Sequence, residues 1–188
     1  MKYYPDMVFS LCRVIFLCVE YYVQGGEFIN TIPYNRNRAA AYARRWALER
    51  NPAYFDFQGI GGDCTNFVSQ CLYAGSGVMN YTPEYGWFYR TANDRTPSWT
   101  GVPFLYQFLT ENLSVGPFGH GCFITQLQIG DVVQLGDDRG EFYHSLFVLH
   151  GYPNIRVAAH TGDVLDRPLN SYAYNSIRCV HIDGVRTW

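Results

Sequence analysis

The chain has 188 residues, 48% of them apolar, and a formal net charge of −2, enough apolar residues for one ordinary globular core. That balance excludes the basic surplus of a nucleic-acid-binding domain and offers no basic face for an anionic cell-wall polymer. The spacings exclude the common metal and phosphate sites too. There is no Cys-x-x-Cys or His-Glu-x-x-His, His120-Gly121-Cys122 stands isolated, and Gly59-Ile60-Gly61-Gly62 lacks both the lysine of a phosphate-binding loop and the spacing of a dinucleotide turn. No metal and no cofactor are expected.

Residues 7–19 are apolar apart from Ser10 and Arg13. The run is too short to cross a bilayer. Arg13 in its middle, the single basic residue Lys2 before it and the lack of a small-residue cleavage site argue against a signal peptide, although that alternative stays open. Val8, Leu11, Ile15 and Val19 share one stripe of a helix. Residues 1–30 are therefore expected as a helical extension, ended by Gln24-Gly25-Gly26, which packs on or closes over a domain spanning residues 31–188.

A helix is expected over residues 36–50, capped by Asn35, stopped before Pro52 and turning Ala39, Ala43, Trp46 and Ala47 inward. Gly59, Gly61 and Gly62 then allow a tight approach to a second helix over 64–74. Asp63 is its N-cap, Phe67, Val68, Cys71 and Leu72 recur at helical spacing, and Gly75 stands at its end. Residues 75–101, rich in Tyr, Pro and Asn, read as an irregular excursion, and Pro103 opens a short helix through Leu109. After Gly130-Asp131 the pattern turns to strands: 132–135, a hairpin turn at Asp137-Asp138-Arg139-Gly140, 142–149 with His144, 155–160 ending in His160-Thr161-Gly162-Asp163, and 177–182. Helices first and an antiparallel sheet after is the α+β pattern.

Chemistry concentrates at Cys64. A cysteine at the first position of a helix meets unpaired N–H groups and the positive end of the helix dipole, which favour the thiolate and lower a thiol pKa to roughly 3.5–7.5. The other cysteines, Cys12, Cys18, Cys71, Cys122 and Cys179, are expected as free and mostly buried thiols, because one of the six is taken by this role. A cysteine at a helix start, a histidine on a strand and a polar residue on the next strand form the arrangement of thiol hydrolases. Strand alternation puts His144, Leu146, Val148 and His150 on one face, so His150 competes with His144.

Tyr34-Asn35-Arg36 with Ala39, Ala43 and Trp46, the run Asp63-Cys64-Thr65-Asn66-Phe67-Val68-Ser69-Gln70, Trp87, Ser98-Trp99, Gly130-Asp131-Val132, His144-Ser145 and His160-Thr161 carry a resemblance. In this order they are similar to the putative amidase domain family, a relative of the NlpC/P60 cell-wall peptidases in the papain-like superfamily. The resemblance implies a papain-like fold with the nucleophile helix packed on the sheet. It further implies Cys64 as nucleophile, His144 as general base and His160 as third polar group, with Asp163 the alternative third member. Oxyanion donors would be the Cys64 backbone N–H and Gln58, six residues before the nucleophile. Asp63, Trp87 and Trp99 are groove candidates, the two tryptophans otherwise packing residues 75–101 onto the core. The implied partner is a peptide or peptidoglycan-derived amide, met outside a bacterial cell or at its wall, and the implied reaction is hydrolysis through a thioester. Two alternatives are transfer to an amine on the same scaffold and a non-catalytic binding module.

Overall fold

The computed structural model describes residues 22–24 and 27–188. Most of the expected helical extension lies outside these residues. Its described end is strand, β1 at Tyr22–Gln24 paired with β2 at Glu27–Ile32, and β2 continues into the main sheet.

The first helix, α1, runs Arg36–Trp46, and the Asn35 carboxamide accepts the Arg38 N–H at 2.9 Å. It packs on α2, Cys64–Ser76. Gly75 does not end α2, contrary to the sequence expectation; it is where the two helices touch. A Cβ there would lie 2.3 Å from the Tyr34 ring and 2.9 Å from the Asn35 carbonyl. The helix stops two residues later at Gly77, whose φ of 67° suits glycine.

Residues 75–101 hold more order than expected. They contain a small hairpin, β3 at Tyr89–Thr91 with β4 at Asp94–Arg95, and a helical turn, α3, at Pro97–Thr100. Helix α4 follows at Val102–Glu111. The remaining strands are β5 (Gly116–Cys122), β6 (Val132–Gly136), β7 (Phe142–His150), β8 (Arg156–Ala159), β9 (Val164–Pro168) and β10 (Ser176–Thr187). The main sheet is antiparallel in the order β1-β2-β10-β6-β7-β8-β9, and β5 pairs with β10. Strand β10 thus organises the sheet. One edge takes β6 and then β2, and the other takes β5 along residues 179–186. The architecture is α+β.

Alternation along the strands divides the core. Val132, Phe147, Leu149 and Val180 face the helices and join Phe67, Val68, Leu72, Trp87, Trp99 and Leu105 in the larger cluster. Val133, Leu135, Leu146, Val148 and Cys179 face the other way into a smaller one under the 164–177 segment. A buried ion cluster fastens the helical half to the sheet. The wholly buried Asp131 carboxylate accepts from Arg36 at 2.7 Å, His181 Nδ1 at 2.8 Å, and the Gln128 and Ile182 N–H groups. Arg36 also donates to the carbonyls of Ile129 and Ile182. Both halves of this clamp belong to the segments that carry the resemblance.

Candidate active site

Each residue of the run from Asp63 to Gln70 has a definite job around the start of α2. Asp63, at the N-cap, does not cap the helix with its side chain. Its Oδ1 accepts the Phe57 N–H at 2.9 Å and the Asn66 amide at 2.8 Å, and its Oδ2 lies 2.5 Å from His160 Nδ1. Asn66 accepts from the Trp99 indole at 2.9 Å, and Ser69 accepts from the Trp87 indole at 3.1 Å. Gln70 accepts from Tyr42 at 2.7 Å. The polar residues of α2 thus find partners in Asp63, Tyr42 and two tryptophans inside the core, as buried polar groups require.

Cys64 begins the helix and is 6% exposed. Its sulfur lies 3.8 Å from Thr65 Oγ1, and the Ser145 backbone amide faces the thiol. Burial pushes the thiol pKa above its ordinary value, outweighing the Ser145 amide and the Thr65 contacts that favour the thiolate. The shift runs opposite to the lowering that a place at a helix start leads one to expect.

His144 is one residue from the strand position that touches Cys64. Its neighbour Ser145 points toward the helices, bonding Thr65 Oγ1 at 3.0 Å and accepting from Gln134 at 3.1 Å. His144 therefore turns to the opposite face, and its ring centre lies 6.1 Å from that of Tyr172. Among the described residues the ring makes no hydrogen bond, to Cys64 or to any other group. Burial, with Arg167 nearby adding to it, lowers its pKa to about 4. Arg167 lies over the Tyr172 ring at 3.8 Å, and among the described residues no partner lies within hydrogen-bond geometry of the buried Tyr172 hydroxyl. His150, the competing histidine, is exposed and 3.4 Å from Asp166, past a bulge that takes it out of the alternation.

His160 is brought to Asp63 rather than to His144. Its Nδ1 faces Asp63, its Nε2 lies 2.9 Å from the Trp46 carbonyl, and the ring stacks on Phe67 at 4.2 Å. Both partners are acceptors, so both bonds form together only when the ring carries two protons. Asp163 is held by Arg50, with Nη2 at 3.0 Å and Nη1 at 3.1 Å. Arg50 also reaches Asp56 and Asp63 and donates to the Gln58 carboxamide oxygen, which leaves the –NH2 end of Gln58 as the donor. Trp87 and Trp99 are wholly buried, as is Asp63. None of the three offers surface to a ligand, and the tryptophans pack the 75–101 segment onto α2, with ring centres 4.8 Å apart.

Sequence reasoning passed over Arg50, read as a helix end, although it gathers the loop before Cys64 and the turn after His160. It also passed over Arg178, whose Nε donates to Gln134 at 2.8 Å and which lies between the Tyr106 and Phe142 rings. No local pattern marks either residue. Among the described residues, no cluster of three or more His, Cys, Asp or Glu could hold a metal ion, and no helix is long and apolar enough to cross a membrane.

The helices and antiparallel sheet form an α+β domain in which Cys64 starts α2 and faces the backbone of Ser145 on β7. The family model "Putative amidase domain" matches residues 33–182, and the chain belongs to that family. It is also similar to an uncharacterized protein, YhbB, of Bacillus subtilis (strain 168), 30% identical over 125 residues, which are 65% of this chain and 39% of the relative. The chain thus spans well under half the length of that relative. No solved structure matches. The family description assigns hydrolysis of a C–N amide bond, and no more than that.

Proposed function

We propose that this domain is a papain-like cysteine amidohydrolase that cleaves a peptide amide by way of a thioester on Cys64. The observation that carries the reading is the start of α2: a cysteine whose helix N-terminus is not capped by the Asp63 carboxylate, set against the backbone of the residue that follows His144. Donors left at a helix N-terminus suit an anion. In the reaction His144 accepts the Cys64 proton as the sulfur attacks the carbonyl carbon. It then returns that proton to the amine as the C–N bond breaks, takes a proton from the water that attacks the thioester carbonyl, and gives it to the Cys64 sulfur as the C–S bond breaks and the acid leaves. The Cys64 backbone N–H and the –NH2 end of Gln58 are the oxyanion donors, the latter oriented by Arg50. His160 is a positioning residue that acts through Asp63, and Asp163 holds Arg50. The substrate is a peptide of the peptidoglycan type, on the strength of the resemblance.

In this reading the thiol and the imidazole meet only when the start of β7 shifts, because alternation sets His144 on the face away from α2. A second reading, a non-catalytic binding module, is favoured by one observation: Cys64 is buried and the His144 ring makes no bond to it. Rapid acid quenching of the protein with peptide amides, stem peptides of peptidoglycan among them, followed by intact-mass measurement separates the two. The catalytic reading expects an acyl adduct on Cys64 that is absent from Cys64→Ser. Amine release with no adduct under any quench time contradicts the thioester, and neither release nor adduct favours the binding module.

A further inference from the structure

Cys122 on β5 and Cys179 on β10 are opposed residues in the antiparallel register. Opposed residues project to the same face, and both side chains lie with the smaller core, Cys179 buried and Cys122 half-buried. Opposed Cα atoms in such a pair stand about 4.5–5.5 Å apart. A disulfide accepts Cα separations of about 4.4–6.8 Å. Each of the other described cysteines, Cys64 and Cys71, sits on α2, in the helical layer.

We propose that Cys122 and Cys179 are a disulfide site, closed by a low-molecular-weight disulfide of the glutathione class. The Cys122 thiolate attacks one sulfur of that oxidant, forming a mixed disulfide and expelling a thiolate. The Cys179 thiolate then attacks the Cys122 sulfur and expels the second. Two protein thiols become one disulfide, the oxidant is reduced to two thiols, and the two protein protons end on the departing thiolates.

The folded protein resists the first step. Burial first, then the Asp131 carboxylate, raises Cys122 to about 11, and burial with Cys122 beside it raises Cys179 to about 12. Thiolate is scarce at neutral pH, so closure in the native state is slow and the bond forms chiefly as the chain folds. Once made, it closes a loop that contains β6, β7, β8 and β9, including the strand of His144. A loop of that length is where a cross-link restricts the unfolded chain most. The pairing is independent of the catalytic reading, since neither thiol is part of that site.

The test folds the full chain in mixed reduced and oxidised glutathione, blocks remaining thiols with iodoacetamide and maps non-reduced peptides by mass. The result expected is one cross-linked peptide pair holding Cys122 and Cys179, lost on reduction, and a higher urea midpoint for the oxidised form. In Cys122→Ser and Cys179→Ser, each examined alone, oxidation should leave the midpoint unchanged. Alkylation of both thiols, a stable glutathione adduct on Cys122 with Cys179 free, or an undiminished midpoint gain in either variant would overturn the proposal.

Discussion

Replacing Asp63 by alanine removes the acceptor on which the start of α2 is built. The carboxylate is wholly buried and serves the Phe57 N–H, the Asn66 amide and His160 at once, with Arg50 Nε 3.7 Å away. Leaving the buried His160 ring and the Asn66 amide without this acceptor costs about 1–3 kcal/mol for each unmet donor. A stranded backbone N–H adds about 1–3 kcal/mol when nothing moves to meet it. These losses share one cavity and relax together, so about 3–5 kcal/mol is expected for Asp63→Ala, with Asp63→Asn milder because its amide oxygen still meets Phe57. Against a typical stability of about 5–15 kcal/mol, the alanine variant should be marginal. Urea unfolding of Asp63→Ala, His160→Ala and the double variant measures the coupling, expected above about 1 kcal/mol. A loss within about 0.5 kcal/mol for Asp63→Ala, or additive losses in the cycle, would refute the view that His160 acts through Asp63.

Four further outcomes follow from the same geometry. His144 holds a proton less readily folded than unfolded, so it costs nothing above pH 6.5, and stability falls as pH drops from 6.5 toward about 4; His144→Gln should flatten that window by about 1–2 kcal/mol after allowance for its remaining exposure, measured by urea midpoints across pH. Cys64 should react with iodoacetamide more slowly than a free thiol at pH 7–8, since burial raises its pKa, and a fast phase at pH 6 would contradict the resting state described here. Trp99→Phe should cost about 1–3 kcal/mol in thermal or urea unfolding, because the buried Asn66 carbonyl loses its indole donor; a neutral result would mean the Asn66 network can rearrange. Gly62→Ala should cost about 1–2 kcal/mol by the same assay, since φ at Gly62 is 103° and the chain there abuts Thr161.

The helices were legible because local rules decide them. Asn35 caps α1 as expected, and the apolar repeat after Cys64 marks α2. Asp63 was legible as a helix boundary, yet its side chain serves Phe57, Asn66 and His160 instead of the helix, and no spacing reveals a partner so far along the chain. Strand β5 was not legible: Gly116-Pro117-Phe118-Gly119-His120-Gly121-Cys122 is poor in strand formers, and β10 imposes its pairing from a distance. In sequence Trp87 reads as either groove or core and Trp99 more as core, because an indole has an apolar body and a polar edge. In the fold both indoles donate into α2, Trp87 to the Ser69 hydroxyl and Trp99 to the Asn66 carboxamide. The orientation of His144 follows from plain alternation once Ser145 is seen to bond Thr65, a contact that sequence alone cannot supply.

The central claim is that amide cleavage runs through the Cys64 sulfur with His144 as its base. Amine release from a panel of peptide amides by the wild type, Cys64→Ser and His144→Gln, each first shown to be folded, tests it most directly. The account predicts turnover by the wild type, a loss of at least about 10³-fold in Cys64→Ser and about 10²–10⁴-fold in His144→Gln. Wild-type turnover that survives in Cys64→Ser would contradict it.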